Sequence, residues 1–243
     1  MAGVRSNEKA RIVSEAASRA GILVETVLLD VTDGDRCARV IDEIRPYALV
    51  NNAGCPAAGA IEDVDDPEAR HVLETMVVAP MRLARLALRH MVAAGEGRIV
   101  NVSSLYGRIT TPLTGWYQAA KHALEALSDA LRVEVASTGV KIVVVAPGGF
   151  RTGIWEQAER DVVGRRGHAR YHEPYLRSIA GMRASQWLMG DPSRVADVIA
   201  RSIIARRPRK RRLVGYDASL FMIADRLLPA AVKDRLERTI LGL

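Results

Sequence analysis

Short runs of β-branched and aliphatic residues alternate along the chain with longer segments of helical periodicity. Each run is bounded by Gly, Asp or Pro and is apolar at nearly every position, which is typical of parallel strands covered on both faces. This alternation predicts an α/β fold built on a doubly wound parallel sheet. The predicted strands are Val24–Leu29, Ala48–Val50, Arg98–Val102, Val140–Ala146 and Leu213–Val214. The predicted helices are Asn7–Ala20, Asp33–Ile44, Pro67–Ala94, Gly115–Ser137, Pro192–Ala205 and Ala218–Leu241, the last divided at Pro229.

The composition indicates a globular chain with an aliphatic core. Its 243 residues fit one large domain or two small ones, and aromatic residues make up only 5%. No apolar run reaches the roughly 18 residues that span a bilayer, and no basic segment followed by an apolar one opens the chain as in a secretory signal. The two cysteines, Cys37 and Cys55, exclude a disulfide scaffold and a cysteine-built zinc site. We therefore expect a cytoplasmic protein without a metal site.

The positive charge is concentrated in one segment. The net charge is +7, and the run from Arg206 to Arg212 supplies six basic residues. Such a cluster is able to bind nucleic acid or an anionic membrane surface. No aromatic residues interleave with these charges, as single-strand binding would require, so a solvated loop before a strand is the favoured interpretation.

Tyr117 and Lys121 stand four residues apart in a predicted helix, so both side chains emerge on one face. A cation beside a phenol oxygen lowers the tyrosine pKa, which suits a general acid or base. The pair taken alone fits an exposed surface pair equally well. The surrounding sequence favours a catalytic role for the pair, because small polar or glycine residues follow three of the predicted strands. These residues are Ser103–Ser104, Asn51–Gly54 and Pro147–Gly149. Ligands of open parallel sheets bind at these strand ends.

Taken in order, these motifs resemble those of the short-chain dehydrogenase/reductase family. They are Asp30–Val31, Asn51-Asn52-Ala53-Gly54, Ser104 thirteen residues before Tyr117, Tyr117-Gln-Ala-Ala-Lys121, and Pro147–Gly148 with Thr152 beyond. The later part of the chain resembles the hydroxysteroid- and retinol-dehydrogenase-like branch. The resemblance implies a single Rossmann-like domain over residues 1–243, with residues 153–190 as a substrate lid within it.

The resemblance also implies a role for each matching residue. Tyr117 would exchange a proton with the substrate oxygen, Lys121 would lower the pKa of Tyr117 and hold the nicotinamide ribose, and Ser104 would hydrogen-bond the substrate. Hydride transfer itself belongs to the cofactor. We expect NADP, with NAD left open, because Arg5 lies where the family often places a base against the 2′-phosphate. The residues expected to contact the cofactor are Arg5, Asp30, Val31, Asn51, Ala53, Gly54, Tyr117, Lys121, Pro147, Gly148 and Thr152.

Two departures from the family pattern bear on activity. Met76 stands where the family usually has a catalytic Asn, and a thioether does not supply that amide, which predicts slowed catalysis. No segment matches the glycine-rich TGxxxGxG turn, and Gly3–Ser6 resembles the end of the family's second strand. We therefore expect an N-terminally incomplete sheet that lacks the first strand and first helix. Loss of a central strand predicts poor folding and weak dinucleotide binding, unless the strands ending at Val4 and Val50 pair directly.

The favoured function is that of an NAD(P)-dependent oxidoreductase that interconverts a lipophilic secondary alcohol and a ketone or aldehyde. The lid segment has large apolar residues that are able to wall a pocket, although half of them fit the core equally well. They are Ile154, Trp155, Tyr175, Leu176, Trp187, Leu188 and Met189. The resemblance further implies a homo-oligomer. Two alternatives stay open: a catalytically silent relative that acts by binding, and an anionic-surface or nucleic-acid binder that uses Arg206–Arg212.

Overall fold

Strands and helices alternate through most of the chain in the computed structural model, which describes residues 1–165, 169–215, 218, 221–222, 225 and 227–243. The strands are β1 (Ala2–Val4), β2 (Thr26–Leu28), β3 (Ala48–Asn51), β4 (Gly97–Val102), β5 (Val140–Pro147) and β6 (Arg211–Val214). The helices are α1 (Asn7–Arg19), α2 (Gly34–Ile44), α3 (Asp66–Leu73), α4 (Ala79–Ala93), α5 (Gly115–Glu134), α6 (Ile154–Arg165), α7 (His172–Ser185), α8 (Ser193–Ile204) and α9 (Ala230–Leu241). The predicted helix over Ala218–Leu241 is confirmed for α9, and much of its first half lies outside the described residues.

All strand pairs in the described part of the chain are parallel, as predicted, but they form two sheets. One sheet pairs β1 with β2, and the other has the order β3-β4-β5-β6. The direct pairing of the strands ending at Val4 and Val50 is therefore wrong: β1 pairs with β2, and β3 pairs with β4. Helix packing, rather than a backbone ladder, joins the two sheets, because α2 lies against α4. The poor folding and the weak dinucleotide binding expected of an interrupted sheet stay predictions, which the sharpness of a thermal melt and a titration with NADPH test.

Helices cover both faces of the four-stranded sheet, which confirms the doubly wound arrangement. On one face Ile99 and Ile142 pack with Leu83, Ala87 and other residues of α2 and α4. On the other face Val100, Val143 and Val145 pack against the apolar side of α8. The near-continuous hydrophobicity of β4 and β5 follows from this double burial, since alternate side chains enter different cores.

The long helix predicted over Pro67–Ala94 is interrupted in its middle. A π-helical turn over Glu74–Val78 separates α3 from α4. Pro80 lies near the start of α4. A proline has no N–H to donate to the carbonyl four residues earlier, and its ring clashes with that carbonyl in a regular α-helix. The wider turn accommodates the proline without ending the helix.

The segment Gly153–Gly190, predicted as a polar excursion, consists mainly of α6 and α7. Both helices pack on the segment after β3, where Val162, Tyr175 and Ile179 are buried with Ala58 and Ala60. We call residues 153–190 the lid segment; its two helices lie against the segment after β3, and its role as a substrate lid stays a prediction. Within the described ranges, none of the helices has the length and apolarity that crossing a membrane requires.

Candidate active site

The carboxyl ends of the parallel strands carry most of the predicted site residues. Ser103 and Ser104 follow β4, and Pro147 closes β5, which pairs with β4 in parallel. Asn51 closes β3, whose register with β4 brings Asn51 opposite Asn101. Because the strands run in one direction, these ends meet at the same edge of the sheet.

Ser104 and Tyr117 face each other at this edge. The Ser104 side chain caps a short 3₁₀ turn, where its Oγ accepts a hydrogen bond from the Tyr106 N–H at 3.2 Å. The nearby Ser104 hydroxyl favours the phenolate of Tyr117 and so lowers its pKa. Burial has the larger effect and raises the pKa of Tyr117 to about 12. The ring of Tyr106 stands edge-on to that of Tyr117, with 6.3 Å between the ring centroids.

Lys121 lies one helical turn after Tyr117 and is 5% exposed. Its ammonium donates a hydrogen bond to the Val102 carbonyl at 2.9 Å and lies 5.7 Å from the centroid of the Tyr117 ring. Burial lowers the pKa of Lys121 to about 8, and the nearby Cys55 and Glu125 oppose that effect. The ammonium is directed to the Val102 carbonyl, and burial dominates the pKa of Tyr117, which rises. That Lys121 lowers the pKa of Tyr117 stays a prediction.

Arg5 and Asp30 are exposed just beyond β1 and β2. The Asp30 carboxylate accepts hydrogen bonds from the Thr32 N–H at 2.9 Å and from the Thr32 hydroxyl at 2.7 Å. These bonds, with a smaller contribution from Arg5, lower the pKa of Asp30. Val31 is half-buried against the core, and its carbonyl accepts from the Arg82 guanidinium at 3.1 Å. Arg5 and Asp30 are thus open to a ligand, whereas the Val31 side chain serves packing.

Asn51 differs from its expected role at the surface of the site. It is buried, and its amide donates to Asn101 Oδ1 at 2.8 Å and to the Pro80 carbonyl at 3.2 Å. Ala53 and Gly54, by contrast, are exposed. A Cβ added at Gly54 would lie 3.5 Å from Met76 Sδ, an ordinary contact, so internal packing does not require a glycine there. The bare backbone suits close approach of a ligand.

The residues expected at the nicotinamide end lie between β5 and α6. The Gly148 N–H donates to the Val214 carbonyl at 2.8 Å, so this glycine extends the pairing of β5 with β6. Thr152 is exposed before α6, and its carbonyl accepts from the Trp155 N–H at 3.3 Å. Its side chain is therefore accessible from the site edge.

Met76 is fully buried at the π-helical turn. It packs with Ala57, Val72 and Ala120, and half-buried Tyr117 lies against the same cluster. Met76 belongs to the cluster that supports Tyr117, and its thioether brings no hydrogen-bonding amide to the site.

The lid is held to the segment after β3 by two polar contacts. The Tyr175 hydroxyl accepts from the Ala60 N–H at 2.8 Å and donates to the Asp63 carboxylate at 2.5 Å. Arg165 donates to the Ala58 carbonyl at 3.0 Å and forms an ion pair with Glu68. These contacts hold α6 and α7 against the segment after β3.

The apolar lid wall is only partly as expected. Tyr175 and Met189 are buried in the core, and Trp155 is half-buried with its indole N–H bonded to the Phe150 carbonyl at 2.8 Å. Trp187 and Leu188 are 79% and 64% exposed, so the expectation that they wall a pocket is wrong. They lie in a short 3₁₀ turn that ends the α7 region, where side chains project outward.

The basic segment is divided between solvent and the protein interior. Arg206, Arg207, Arg209 and Lys210 are exposed, as a solvated loop predicts. Arg211 belongs to β6, and its guanidinium forms ion pairs with Glu125 and Asp129 of α5. Sequence reasoning missed Glu125, although its spacing of four residues from Lys121 was a readable signal.

Comparison with known proteins gives one family for this chain. The family model described as short chain dehydrogenase matches residues 1–162. An uncharacterized oxidoreductase, YusZ of Bacillus subtilis, is 29% identical over 93% of this chain and 83% of its own. Retinol dehydrogenase 16 of Mus musculus is 30% identical, covering 88% of this chain and 72% of its own. The 17-beta-hydroxysteroid dehydrogenase type 6 of Rattus norvegicus is also 30% identical, over 90% and 74% of the two chains.

Solved structures are similar to the chain over nearly its full length. A short-chain dehydrogenase from Streptomyces avermitilis superposes with a TM-score of 0.73 at 30% identity, covering 98% of this chain and 84% of the other. A Burkholderia phymatum relative in complex with NAD has a TM-score of 0.75 at 22% identity, over 91% and 81% of the two chains. One from Burkholderia cenocepacia in complex with NADP has a TM-score of 0.70 at 20% identity, over 96% and 84%. The last two establish the likeness of fold.

Proposed function

Since the chain belongs to the short chain dehydrogenase family, we propose that it is an NADP-linked oxidoreductase that interconverts a lipophilic secondary alcohol and a ketone or aldehyde. One observation carries the proposal: a buried Lys121, a phenol at Tyr117 and a hydroxyl at Ser104 meet at the carboxyl end of β4. The retinol and hydroxysteroid dehydrogenases among its relatives support a lipophilic substrate.

In the reducing direction, Tyr117 is the proton donor. With its pKa raised to about 12, the phenol keeps its proton at neutral pH and is able to give it to the oxygen of a reduced carbonyl. Ser104 donates a hydrogen bond to the same substrate oxygen and orients it. Lys121 places a positive charge near the tyrosine, which stabilises the phenolate left after transfer. A bound nicotinamide would supply or accept the hydride.

The chain's exposed residues fit a nicotinamide dinucleotide at both ends. Arg5 and Asp30 suit the adenosine end, the bare backbone of Ala53–Gly54 suits close approach, and exposed Thr152 suits the nicotinamide end. The guanidinium of Arg5 favours a 2′-phosphate, and so NADP over NAD. The homo-oligomer and the cytoplasmic location stay predictions, tested by light scattering after gel filtration and by cell fractionation.

Replacing Tyr117 with Phe tests the proposal. Tyr117→Phe keeps the ring against Met76 and removes the proton donor, so we expect turnover of a retinol or hydroxysteroid panel to fall by about 10²–10⁴-fold while NADPH binding is retained. Tyr106→Phe is the matched control, because it removes a neighbouring phenol oxygen and leaves the edge-on ring contact.

The outcomes of this experiment separate the candidate functions. Turnover within about tenfold of wild type in Tyr117→Phe would exclude Tyr117 as the acid or base. A wild-type chain that binds NADPH and turns over no member of the panel would instead favour the catalytically silent relative, for which buried Met76 is the supporting observation.

A further inference from the structure

A buried amide directly after Tyr117 takes no part in the proposed reaction. Gln118 is 2% exposed, although it lies near the start of α5, at the border of the site. Its Nε2 lies 2.5 Å from Thr114 Oγ1, 2.9 Å from Thr111 Oγ1 and 3.1 Å from the Thr111 carbonyl oxygen. Its Oε1 accepts a hydrogen bond from the Thr111 N–H at 3.1 Å. The amide therefore binds the turn Thr111–Thr114 through both its nitrogen and its oxygen.

This turn uses the whole hydrogen-bonding capacity of the amide nitrogen. A carboxamide has two N–H donors, and three acceptors of the turn lie within their reach. The bond from the Thr111 N–H fixes which end of the amide is the oxygen. Polar groups that are buried and satisfied in this way make the structure around them rigid. We call this set of bonds between Gln118 and Thr111–Thr114 the Gln118 clamp.

The first turn of α5 lacks the usual capping bond. A helix leaves its first N–H groups without intrahelical partners, and a side chain at the N-cap commonly accepts from one of them. In the part of the chain that the structure describes, the N-cap residue Thr114 makes no such side-chain bond. Tyr117 lies in this first turn, because α5 begins at Gly115. The Gln118 clamp instead ties the Thr114 side chain to the helix.

The clamped turn also contains strained backbone. Leu113 is buried and has a φ of 65°, in the left-handed region that residues with a side chain disfavour. Such conformations persist only where the surrounding structure holds them, and they cluster at functional sites. The Leu113 carbonyl accepts from the Gly59 N–H at 2.7 Å, and in the segment of Gly59 the backbone of Ala57 has a φ of 47°. Two segments that are bonded to each other beside the site are thus both held in strained conformations.

Ser104 and Tyr117 are joined by a short stretch of chain that includes the clamped turn. Ser104 caps the 3₁₀ turn Leu105–Gly107, and the turn Thr111–Thr114 then leads into α5. Any movement of the clamped turn therefore changes how the Tyr117 hydroxyl approaches a substrate oxygen bound by Ser104. A misplacement of about 1 Å at a reacting group costs roughly 10²-fold in rate.

Building on the proposed function, we propose that Gln118 is a positioning residue for proton transfer: by binding the turn Thr111–Thr114, it fixes the first turn of α5 and with it the place of Tyr117. In this role Gln118 touches neither substrate nor cofactor. It acts through two hydroxyls and the backbone of one residue, and it sets the geometry of Tyr117 rather than its charge.

Fluorine NMR of Tyr117 tests this inference without any measurement of activity. Fluorotyrosine replaces the six tyrosines, and Tyr117→Phe identifies the signal of Tyr117. Gln118→Met keeps a long unbranched side chain and removes its hydrogen bonds to the turn. We expect the Tyr117 signal to shift and broaden in this variant, because a first turn without the clamp opens locally. The signal of Tyr47, which precedes β3, should remain as in wild type.

The matched control is Thr138→Val, just beyond the opposite end of α5. The Thr138 hydroxyl donates to the Val135 carbonyl at 2.8 Å, so this variant loses a hydrogen bond at the same helix and leaves the clamp intact. We expect an unchanged Tyr117 signal in Thr138→Val. An unchanged Tyr117 signal in folded Gln118→Met overturns the proposal, and so does an equal change in Thr138→Val.

A milder variant keeps the test decisive if Gln118→Met does not fold. Thr114→Val retains Gln118 and removes one of its acceptors. We expect the Tyr117 signal to move in the same direction as in Gln118→Met, by a smaller amount. An unchanged Tyr117 signal in Thr114→Val then overturns the proposal.

The division of the effect between kcat and KM separates this inference from the proposed function. In Gln118→Met we expect kcat for the retinol or hydroxysteroid panel to fall by about tenfold to a hundredfold, while KM for the cofactor stays within about twofold of wild type. If Tyr117→Phe is inactive and Gln118→Met keeps the kcat of wild type, the role of Gln118 alone fails. If wild type turns over no member of the panel and the Tyr117 signal responds as expected, the proposed function fails and the clamp stands.

Discussion

Removing the hydroxyl of Tyr175 tests whether this residue anchors the lid segment. In Tyr175→Phe the ring remains in the cluster formed with Ala58, Val162 and Ile179, so packing is preserved. The variant loses the hydroxyl that accepts from the Ala60 N–H and donates to the Asp63 carboxylate. The change therefore isolates the polar anchor from the hydrophobic one.

The free-energy cost of this substitution depends on whether each former hydrogen-bond partner is buried or reaches water. The Ala60 N–H is buried, so losing its acceptor costs about 1–3 kcal/mol. Asp63 is half-exposed, and water replaces most of its lost bond. We expect the local opening of the lid segment to become easier by about 1–3 kcal/mol, which corresponds to roughly 5- to 150-fold faster amide exchange.

Hydrogen exchange measured by mass spectrometry is the assay, because it reports peptides from α7 and from the segment around Ala60 separately. Tyr171→Phe is the control: its ring lies 6.1 Å from that of Tyr175, and its hydroxyl lies near the exposed side chain of Glu62. We expect a change of less than about threefold in the control, since surface contacts contribute little. Equal exchange in wild type and Tyr175→Phe would refute the anchor.

The remaining predictions concern the cofactor, alkaline stability and the basic segment. Arg5→Ala should reduce the preference for NADPH over NADH in kcat/KM by about tenfold or more, because a charge-assisted phosphate contact contributes roughly 1.5–3 kcal/mol; equal kcat/KM for both cofactors in wild type would refute it. Burial raises the pKa of Tyr117 and Tyr175 to about 12 from 10.0, so their stabilising effect is complete below about pH 10 and is lost as pH rises towards 12. Urea unfolding at pH 9 and pH 11 measures this loss, and an unchanged midpoint would contradict it. We expect no retention of the chain on heparin at low salt despite Arg206–Arg212, and salt-dependent retention would revive nucleic-acid binding.

Local features of the sequence predicted the elements that carry the site. The apolar runs of β4 and β5 are buried on both faces, and this leaves a pattern that is readable without a partner strand. The spacing of Tyr117 and Lys121 determines that they share a helical face, whatever packs against it. The boundaries of helices and strands were predicted less accurately. Helix α5 ends at Glu134 rather than at Ser137, and β2 begins at Thr26 rather than at Val24. Tertiary contacts, rather than local preference, set these boundaries.

The hydrogen-bond partners of individual polar groups depended on the tertiary structure. Nothing in the sequence pairs Asn51 with Asn101, since they lie 50 residues apart and meet only through the β3–β4 register. The Lys121 ammonium bonds the Val102 carbonyl, and burial rather than charge dominates the pKa of Tyr117. Burial is a property of the whole fold, so a motif alone predicts which residues meet and not how strongly each holds its proton.

Amino-acid composition determined the net charge of this chain, but the fold decided what that charge does. Most of the basic segment stays in solvent, while Arg211, 86 residues beyond Glu125, enters the interior as its counterion. The lid segment gives a second example: the sequence shows its aromatic residues, but only the packing decides that Tyr175 is buried and Trp187 is exposed. Sequence determines the chemistry each side chain is able to offer. Three-dimensional packing determines which of those side chains lose water, and therefore which electrostatic interactions become strong.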